Sequence, residues 1–321
     1  MPATDSPDAP EVTITNYVRA ESDFQMRGYI EQMDCFGRLV HVRDPYDVHH
    51  QVTVRANRDT LYSFGVFDLT APLTVHLPEP DGRYQSLMTV SQDHSTEPHY
   101  SPATAVLTTD NIGTRYVTLV VRTFADPDDP ADLARAHALQ DQITTEQTDI
   151  GVFDVPNWDR GEVERMRSKL STLAPYANDS TKAFGRIEDL DPVYWVLGAA
   201  IGWGGLTASA ARYEGVHPDR NDGETPHTLS VGDVPCDAFW SVTLYDADGW
   251  MPVNEFDAYC CNSVTADRDE DGTVTIHFGG DPNQTNYLPI VPGWNYVFRV
   301  YRPRPEVLDG TRTFPEAQPV D

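Results

Sequence analysis

Residues 238–249 read Ala-Phe-Trp-Ser-Val-Thr-Leu-Tyr-Asp-Ala-Asp-Gly, and this stretch decides the fold class. From Trp240 to Tyr245 its side chains nearly alternate between apolar and polar, and aromatic and β-branched residues dominate, which predicts a half-buried β-strand. The Asp-Ala-Asp-Gly that follows is typical of a tight turn. Similar patterns at 228–231, 273–278 and 294–301 predict a carboxy-terminal antiparallel sandwich.

The amino-terminal part carries a second group of predicted strands. Residues 61–69, 73–77, 84–90 and 115–123 follow one another closely, and turns rich in Pro and Gly separate them. Such close spacing is typical of a sandwich or barrel and unlike the longer spacing of a parallel α/β sheet. A helix is predicted over 13–33.

The middle of the chain has helical periodicity instead. Apolar residues recur at helical intervals over 131–147 and 162–173, and Asp191-Pro192 is a typical helix start for a buried helix through Ala200. We therefore predict a mostly β protein with a helical middle (α+β), containing two jelly-roll-like antiparallel β-sandwiches. The predicted organisation is a disordered acidic lead (1–12), a helix plus β-sandwich (13–130), a helical connecting segment (131–215) and a carboxy-terminal β-sandwich (216–321).

The composition is strongly acidic. The 321 residues include 50 Asp and Glu but 23 Lys and Arg, for a net charge of −27, and only Lys169 and Lys182 are lysines. The acids are dispersed, so they predict an acidic surface and not an acidic tail. Such a surface repels itself in dilute buffer, but the Debye length shrinks to roughly 3 Å at about 1 M salt. We predict a halophilic protein from a salt-adapted, acidic proteome.

The charge also excludes some partners. Binding to DNA or RNA depends on basic contacts to phosphate, so nucleic acid and anionic membrane surfaces are not expected partners. The sequence has no apolar run of about 18 residues and no recognisable signal peptide. The four cysteines, at positions 35, 236, 260 and 261, have no zinc-site spacing and are expected to be buried free thiols. We predict a soluble, cytoplasmic protein; whether it forms a homo-oligomer is left open.

Several segments resemble one pair of families. The carboxy-terminal half resembles the domain of unknown function numbered 1214 in residues 239–249, 286–289, 299–303 and 308–310 and in Pro315. The amino-terminal half resembles the companion domain numbered 1254 in Asn57-Arg-Asp-Thr-Leu-Tyr-Ser63, Tyr84-Gln-Ser86 and Asp93-His94. This resemblance implies a jelly-roll-like sandwich in each half with helices between them, and it implies no established reaction.

The densest polar cluster lies just before a predicted strand. Asn57, Arg58 and Asp59 combine an amide, a guanidinium and a carboxylate, which could bind a polar ligand. The alternative is that the two short side chains cap a turn while Arg58 pairs with an acid. Tyr62 and Ser63 follow on opposite faces of the strand, so only one of them can face a ligand near Arg58.

A second candidate group follows the strand at 84–90. An imidazole beside a carboxylate, as in Asp93-His94, is the arrangement used by general bases and metal sites, although a loop histidine can simply be solvated. Trp203, within Gly202-Trp-Gly-Gly205, could cover a ligand at the end of the buried helix, or the glycines could simply form the helix exit. Asp267–Gly272 begins like a calcium loop but has Phe278 where the loop needs glutamate, so no metal is expected.

We therefore predict a small-molecule-binding protein or hydrolase-like enzyme with a pocket between β-sandwich and helices. In an enzyme, His94 with Asp93 would act as the acid–base group and Arg58 would hold a polar or anionic group. Asn57, Asp59, Tyr62 and Trp203 would bind a small polar molecule, and no cofactor is expected. Whether the protein is an enzyme stays open. The alternatives are a non-catalytic interaction or assembly module, or a metal site built from oxygen and histidine ligands.

Overall fold

The computed structural model describes residues 9–177 and 180–320, so residues 1–8 of the predicted acidic lead lie outside the described residues. The chain forms two compact units, each assembled from three separate segments. Within the described residues, unit 1 comprises 9–42, 62–123 and 135–208, and unit 2 comprises 43–61, 124–134 and 209–320.

The helices, in chain order, are α1 Tyr17–Met33, α2 Thr109–Ile112, α3 Pro130–Asp141, α4 Arg160–Ser171, α5 Pro192–Gly202 and α6 Pro305–Leu308. Short 3-10 turns occur at Ala174–Tyr176, Ser180–Lys182 and Ile187–Asp189. The strands are β1 Val40–His41, β2 Thr60–Asp68, β3 Leu73–Leu77, β4 Gln85–Ser91, β5 Thr96–Tyr100, β6 Ala103–Leu107, β7 Tyr116–Phe124, β8 Thr144–Gln147, β9 Ala211–Val216, β10 His227–Val231, β11 Trp240–Tyr245, β12 Cys260–Asn262, β13 Val274–Phe278, β14 Tyr287–Leu288, β15 Asn295–Tyr301 and β16 Gln318–Pro319.

Unit 1 contains two sheets, ordered β1-β2-β7-β4-β5 and β6-β3-β8. Leu87, Leu119 and Val121 on the larger sheet pack with Leu73 and Val75 on the smaller one, and these residues form the core between the two sheets. We call the side of the larger sheet that faces away from this core its helix face. Residues of α1 cover part of the helix face, because Met26 packs with Val66 and Tyr116.

The helices of unit 1 form a core of their own. Tyr17 and Ala20 of α1 pack with Val163 of α4 and with Leu197 and Ala199 of α5. Two helices of the predicted connecting segment, α4 and α5, therefore pack with the amino-terminal helix, because each amphipathic helix must bury its apolar stripe. The last part of that segment instead forms β9, which pairs with β15 in unit 2. Val12, inside the predicted lead, is buried in the helical core.

Unit 2 is a sandwich of two four-stranded sheets, ordered β12-β11-β15-β9 and β14-β13-β10-β16. Its core contains every second residue of the strands, as the alternating sequence pattern predicts; Trp240, Val242 and Leu244 on β11 are examples. Phe278 and Trp294 stack with ring centroids 4.9 Å apart. Burial of these aromatic side chains stabilises the sandwich, because each removes a large apolar area from water.

The prediction of a mostly β chain with helices between two β-rich parts is confirmed, since most strand pairs are antiparallel. One predicted element is wrong over part of its length. The helix expected over 131–147 ends at Asp141, and Thr144–Gln147 form β8, which pairs with β3. The two β-branched threonines favour an extended backbone, and pairing with a neighbouring strand outweighs the helical period. No helix within residues 9–177 and 180–320 has the combination of length and apolar character that a membrane span requires.

Candidate functional site

The seven predicted site residues are divided between the two units. Asn57, Arg58 and Asp59 belong to unit 2. Tyr62, Asp93, His94 and Trp203 belong to unit 1. Each group is therefore described within its own unit.

Half-buried aromatic rings in unit 1 form a continuous series of ring contacts, stacked except for a tilted contact between Tyr29 and Trp203. Tyr62 and Phe64 alternate along β2, and their rings stack with centroids 5.7 Å apart. Phe64 stacks in turn on Tyr29 of α1 at 5.0 Å, and Tyr29 lies 6.0 Å from Trp203. We call Tyr29, Tyr62, Phe64 and Trp203 the aromatic surface.

Polar groups border the aromatic surface at both ends. The Arg122 guanidinium lies 5.3 Å from the centre of the Tyr62 ring, a cation–π distance. Trp203 donates its indole N–H to Ser22 Oγ at 3.0 Å, which fixes the orientation of the ring. Burial raises the pKa of Tyr29, and the charge of Arg122 acts in the opposite direction. The Tyr29 phenol is therefore neutral at physiological pH.

His94 extends the aromatic series into the interior. Its ring lies 6.0 Å from Trp203 in a stacked arrangement and 5.9 Å from Phe184 in an edge arrangement. The Gly204 N–H donates to His94 Nε2 at 2.9 Å. His94 is completely buried, and burial lowers the pKa of the imidazole to about 4. Because Nε2 accepts a hydrogen bond, the single proton of the neutral ring must be on Nδ1.

Asp93 points to a different partner from its neighbour. Its carboxylate pairs with Arg19 of α1, with 2.7 Å between Arg19 Nη2 and Asp93 Oδ1. Trp195 donates its indole N–H to the Asp93 carbonyl at 2.9 Å. Asp93 therefore ties the turn after β4 to α1 through its carboxylate and to α5 through its backbone carbonyl. This geometry favours a structural role for the Asp93-His94 pair over acid–base chemistry.

We expect nuclear magnetic resonance to show His94 as the Nδ1–H tautomer, still neutral at pH 5.5. The folded pKa of about 4 lies below the unfolded value near 6.5, so the unfolded chain binds the proton first as pH falls. The contribution of His94 to stability is therefore complete above pH 6.5 and is lost as pH falls toward 4. Two-dimensional ¹⁵N spectra recorded at several pH values, with His94→Asn to assign the signals, test this. A His94 signal that titrates near 6.5 would contradict it.

In unit 2, the turn before β2 forms a buried hydrogen-bonded cluster. Asn57 Oδ1 accepts from the Asp59 N–H at 2.6 Å, and Asn57 Nδ2 donates to the Tyr301 hydroxyl at 2.6 Å. Asp59 is fully buried, and Asn262 donates to its Oδ1 at 3.2 Å. Burial raises the pKa of Asp59, while Ser241, the charge of Arg299 and Asn262 oppose the shift. Only the contact between Asn57 and the Asp59 N–H is local turn capping, the alternative to ligand binding; the contacts to Tyr301 and Asn262 join segments far apart in the sequence.

Arg58, the third member of this group, lies over an aromatic ring and makes a long ion pair. Its side chain is 11% exposed and its guanidinium lies 4.9 Å from the centre of the Tyr259 ring. Its ion pair with the exposed Asp257 is long, with 3.5 Å between Nη1 and Oδ1. The role of Arg58 in holding a polar group stays a prediction.

The other reactive groups are poorly suited to nucleophilic or metal chemistry. The four cysteines are free, and burial raises the pKa of each thiol, to about 12 at Cys261. Thiols with raised pKa values are weak nucleophiles at neutral pH. Within the described part of the chain, no group of three or more His, Cys, Asp or Glu side chains is placed to hold a metal ion.

Sequence reasoning missed Tyr29, Phe64, Phe184 and Arg122. Phe64 could have been found, since it lies two residues from Tyr62 and therefore on the same strand face. The charge of Arg122 inside a strongly apolar strand was a second available signal. Tyr29 and Phe184 gave no signal, because only the tertiary packing brings them to Phe64 and His94.

Comparisons with known proteins agree with the architecture. Residues 36–106 match the family model described as a protein of unknown function (DUF1254), and residues 210–305 match the one described as a protein of unknown function (DUF1214). No curated protein matches the chain.

Two crystal structures have a similar fold. The VPA0106 protein from Vibrio parahaemolyticus has a TM-score of 0.69 at 17% identity, covering 95% of this chain and 98% of that one. An uncharacterised protein from Burkholderia cenocepacia has a TM-score of 0.52 at 16% identity, covering 98% and 91% of the two chains. At these identities the likeness shows the fold alone. The chain thus belongs to the proteins that combine an amino-terminal DUF1254 domain with a carboxy-terminal DUF1214 domain.

Proposed function

We propose that this protein binds a small organic molecule at the aromatic surface of unit 1. The observation that carries the proposal is the unbroken series of half-buried rings from Tyr62 through Phe64 and Tyr29 to Trp203, with Arg122 at one end and His94 at the other. Binding sites for small molecules are mostly apolar and aromatic, with a few fixed polar groups.

The form of the ligand follows from the geometry of the rings. Aromatic side chains bind flat molecules by offset stacking, which orients the ligand without requiring a charge. The hydrogen bond from Trp203 to Ser22 and the one from Gly204 to His94 fix the end of the surface in advance of binding. A preorganised surface loses little conformational entropy on binding, which raises affinity. We infer a ligand with a flat apolar part and at least one polar group.

The chemistry of His94 favours binding over hydrolysis. A general base must reach the proton that it removes, and it works best with a pKa near the operating pH. His94 has a pKa lowered to about 4 and uses Nε2 to hold Gly204. The proposed role is therefore that of a binding protein.

The test uses 2-acetylnaphthalene as probe, with calorimetry and saturation-transfer spectra recorded in molar KCl. Phe64→Ala removes the central ring and is expected to weaken binding by about tenfold, since stacking and burial of one ring contribute on the order of 1.4 kcal/mol. Phe256→Ala, which removes a half-exposed ring in unit 2, is the matched control and should leave binding unchanged.

Two results would contradict the proposal. One is the absence of saturable binding up to the solubility limit of the probe. The other is a change in particle mass by light scattering on Phe64→Ala with no change in probe binding, which would favour the interaction or assembly module instead.

A further inference from the structure

A buried arginine lies at one end of the aromatic surface. Arg122 is 9% exposed and belongs to β7, whose Leu119 and Val121 pack in the core between the two sheets of unit 1. Because side chains alternate along a strand, the side chain of Arg122 points to the helix face. Its guanidinium lies 5.3 Å from the centre of the Tyr62 ring. Burial of a cation costs free energy unless other groups stabilise the charge, so the neighbours of Arg122 decide what this charge can do.

Polar and aromatic side chains lie in register beside Arg122. Ser86 of β4 lies directly opposite Arg122, and Tyr100 of β5 lies directly opposite Ser86. The ring of Tyr84, the residue just before β4, has its centroid 6.3 Å from that of Tyr100. One row of side chains thus crosses four strands of the larger sheet, from Tyr62 on β2 through Arg122 to Tyr100 on β5.

Two tyrosines lie within the electrostatic field of Arg122. Burial raises the pKa of Tyr84 to about 12, while a hydrogen bond with the Ser86 hydroxyl and the charge of Arg122 act in the opposite direction. The charge of Arg122 also opposes the rise that burial causes in the pKa of Tyr29. Both phenols therefore keep their protons at neutral pH and can donate hydrogen bonds to an anion. We call Arg122, Tyr29, Tyr62 and Tyr84 the arginine cluster.

We propose that the arginine cluster binds the carboxylate of a flat monocarboxylic acid whose apolar body stacks on the aromatic surface. This inference rests on the proposed function, because Tyr29 and Tyr62 belong both to the cluster and to the aromatic surface. The three tyrosines of the cluster are half-buried, so part of each side chain is open to a ligand from solvent.

The shape of the guanidinium favours a carboxylate. The contact with Tyr62 uses the face of the guanidinium, and the N–H groups lie in its plane, from which they donate to other groups. This planar fork matches the two oxygens of a carboxylate, and hydrogen bonds between charged partners are stronger than neutral ones. Arg122 can therefore orient the acid group while the rings hold the apolar body.

The charge of the cluster favours a single negative charge on the ligand. Arg122 supplies one positive charge, and the phenols of Tyr29 and Tyr84 are neutral. A dianionic phosphate would lose its hydration with half of its charge uncompensated. The net charge of −27 repels every anion, but molar salt screens that repulsion across the surface and screens a buried pair much less. In molar KCl the cluster therefore determines the preference.

Three probes with the same naphthalene body measure this preference by calorimetry in molar KCl. They are 2-naphthoate, the neutral 2-acetylnaphthalene, and 2-naphthyl phosphate, which is mostly dianionic above about pH 7. We expect naphthoate to bind about tenfold more tightly than the ketone, as a charge-assisted contact would give. The phosphate should bind more weakly than naphthoate. Naphthoate and the ketone should also compete, because their bodies occupy the same rings.

Substitutions within the cluster test the two kinds of group. Arg122→Met removes the charge and keeps an unbranched side chain, so the affinities for naphthoate and ketone should become about equal. Tyr84→Phe removes one hydroxyl and keeps the ring, so naphthoate should bind about threefold more weakly while ketone binding is unchanged. The second variant keeps the test decisive if Arg122→Met does not fold.

Arg115→Met is the matched control. Arg115 lies just before β7, at the opposite end of the strand from Arg122, and its guanidinium lies 4.9 Å from the centre of the Tyr116 ring. It pairs with the buried Asp68. Loss of this pair should lower the Tm, because it leaves a buried carboxylate without its cation, but both affinities should stay the same.

The outcomes separate this inference from the proposed function. Naphthoate that binds no more tightly than the ketone, tightest binding of the phosphate, or a preference that survives Arg122→Met overturns the carboxylate site and leaves the aromatic surface in place. The first of these is the result expected if an acidic side chain of the protein already neutralises Arg122. Loss of binding of all three probes, or binding that Phe64→Ala does not weaken, overturns the proposed function itself.

Discussion

Transfer from about 2 M KCl to about 20 mM buffer is expected to lower the Tm of this protein by about 10 °C or more, through loss of charge screening. The net charge is −27. Among the acidic residues within 9–177 and 180–320, only Glu21, Asp23, Asp59 and Asp68 are buried, so the remainder repel one another across the surface. The Debye length rises from about 2–3 Å to roughly 20 Å over this change, which restores that repulsion.

Thermal unfolding followed by circular dichroism at constant pH measures the effect. Sucrose at equal osmolarity is the control, because it favours compact states by exclusion from the surface but does not screen charge. If sucrose raises the Tm as much as KCl does, charge screening is not the cause of the stabilisation. An identical Tm in dilute buffer and molar KCl would remove the proposal of salt adaptation altogether.

Replacing Arg299 with Met is expected to destabilise unit 2 by about 3–5 kcal/mol, as expected when one partner of a buried charged network is removed. Arg299 on β15 is 3% exposed. Its Nη1 donates to Thr243 Oγ1 at 2.8 Å, and its Nη2 donates to the Tyr245 hydroxyl at 2.6 Å and to the Arg55 carbonyl at 2.9 Å. Met fills much of the volume but cannot donate, so these acceptors and Asp59 would lose their shared cation.

Urea unfolding in molar KCl, with a probe signal from unit 2, gives the change in free energy. Arg304→Met is the matched control in the same unit. Arg304 is 54% exposed and pairs with Asp237, and such a surface pair contributes about 0–1 kcal/mol. Because salt screens buried groups much less than exposed ones, the Arg299 effect should persist at high salt. A neutral or stabilising Arg299→Met would mean that the cost of burying the guanidinium exceeds what its hydrogen bonds contribute.

Two buried charges, Arg299 and Glu21, also show where sequence reasoning stops. Arg299 lies in a strand whose alternation was clear, yet alternation does not say that its guanidinium turns inward to Tyr245. Glu21 of α1 is fully buried and accepts from Arg167 at 2.8 Å, but among dispersed acids nothing in the sequence distinguishes it from an exposed one. Each of these buried charges has its partners far along the chain. Because only folding brings such partners together, the local sequence does not reveal the burial.

The candidate site likewise depends on contacts between residues that are far apart in the sequence. Tyr62, His94 and Trp203 were predicted separately, from a strand, a turn and a helix exit, and the structure links them through Tyr29 and Phe64. Arg58, predicted as part of the same site, belongs to unit 2. The positions of these residues along the chain do not predict which side chains meet, because long-range pairing sets the order of strands in an antiparallel sheet.

The sequence by itself determined the acidic surface, the β-rich class and most strand positions, because net charge is a sum over residues and strand periodicity is a local pattern. The tertiary structure alone decided that Thr144–Gln147 joins a sheet, that His94 is buried with its Nε2 accepting from Gly204, and that the rings of Tyr62, Phe64, Tyr29 and Trp203 meet. Each of these three features depends on burial or on a partner that is distant in the sequence. Both are determined by the packing of the folded chain and not by local sequence.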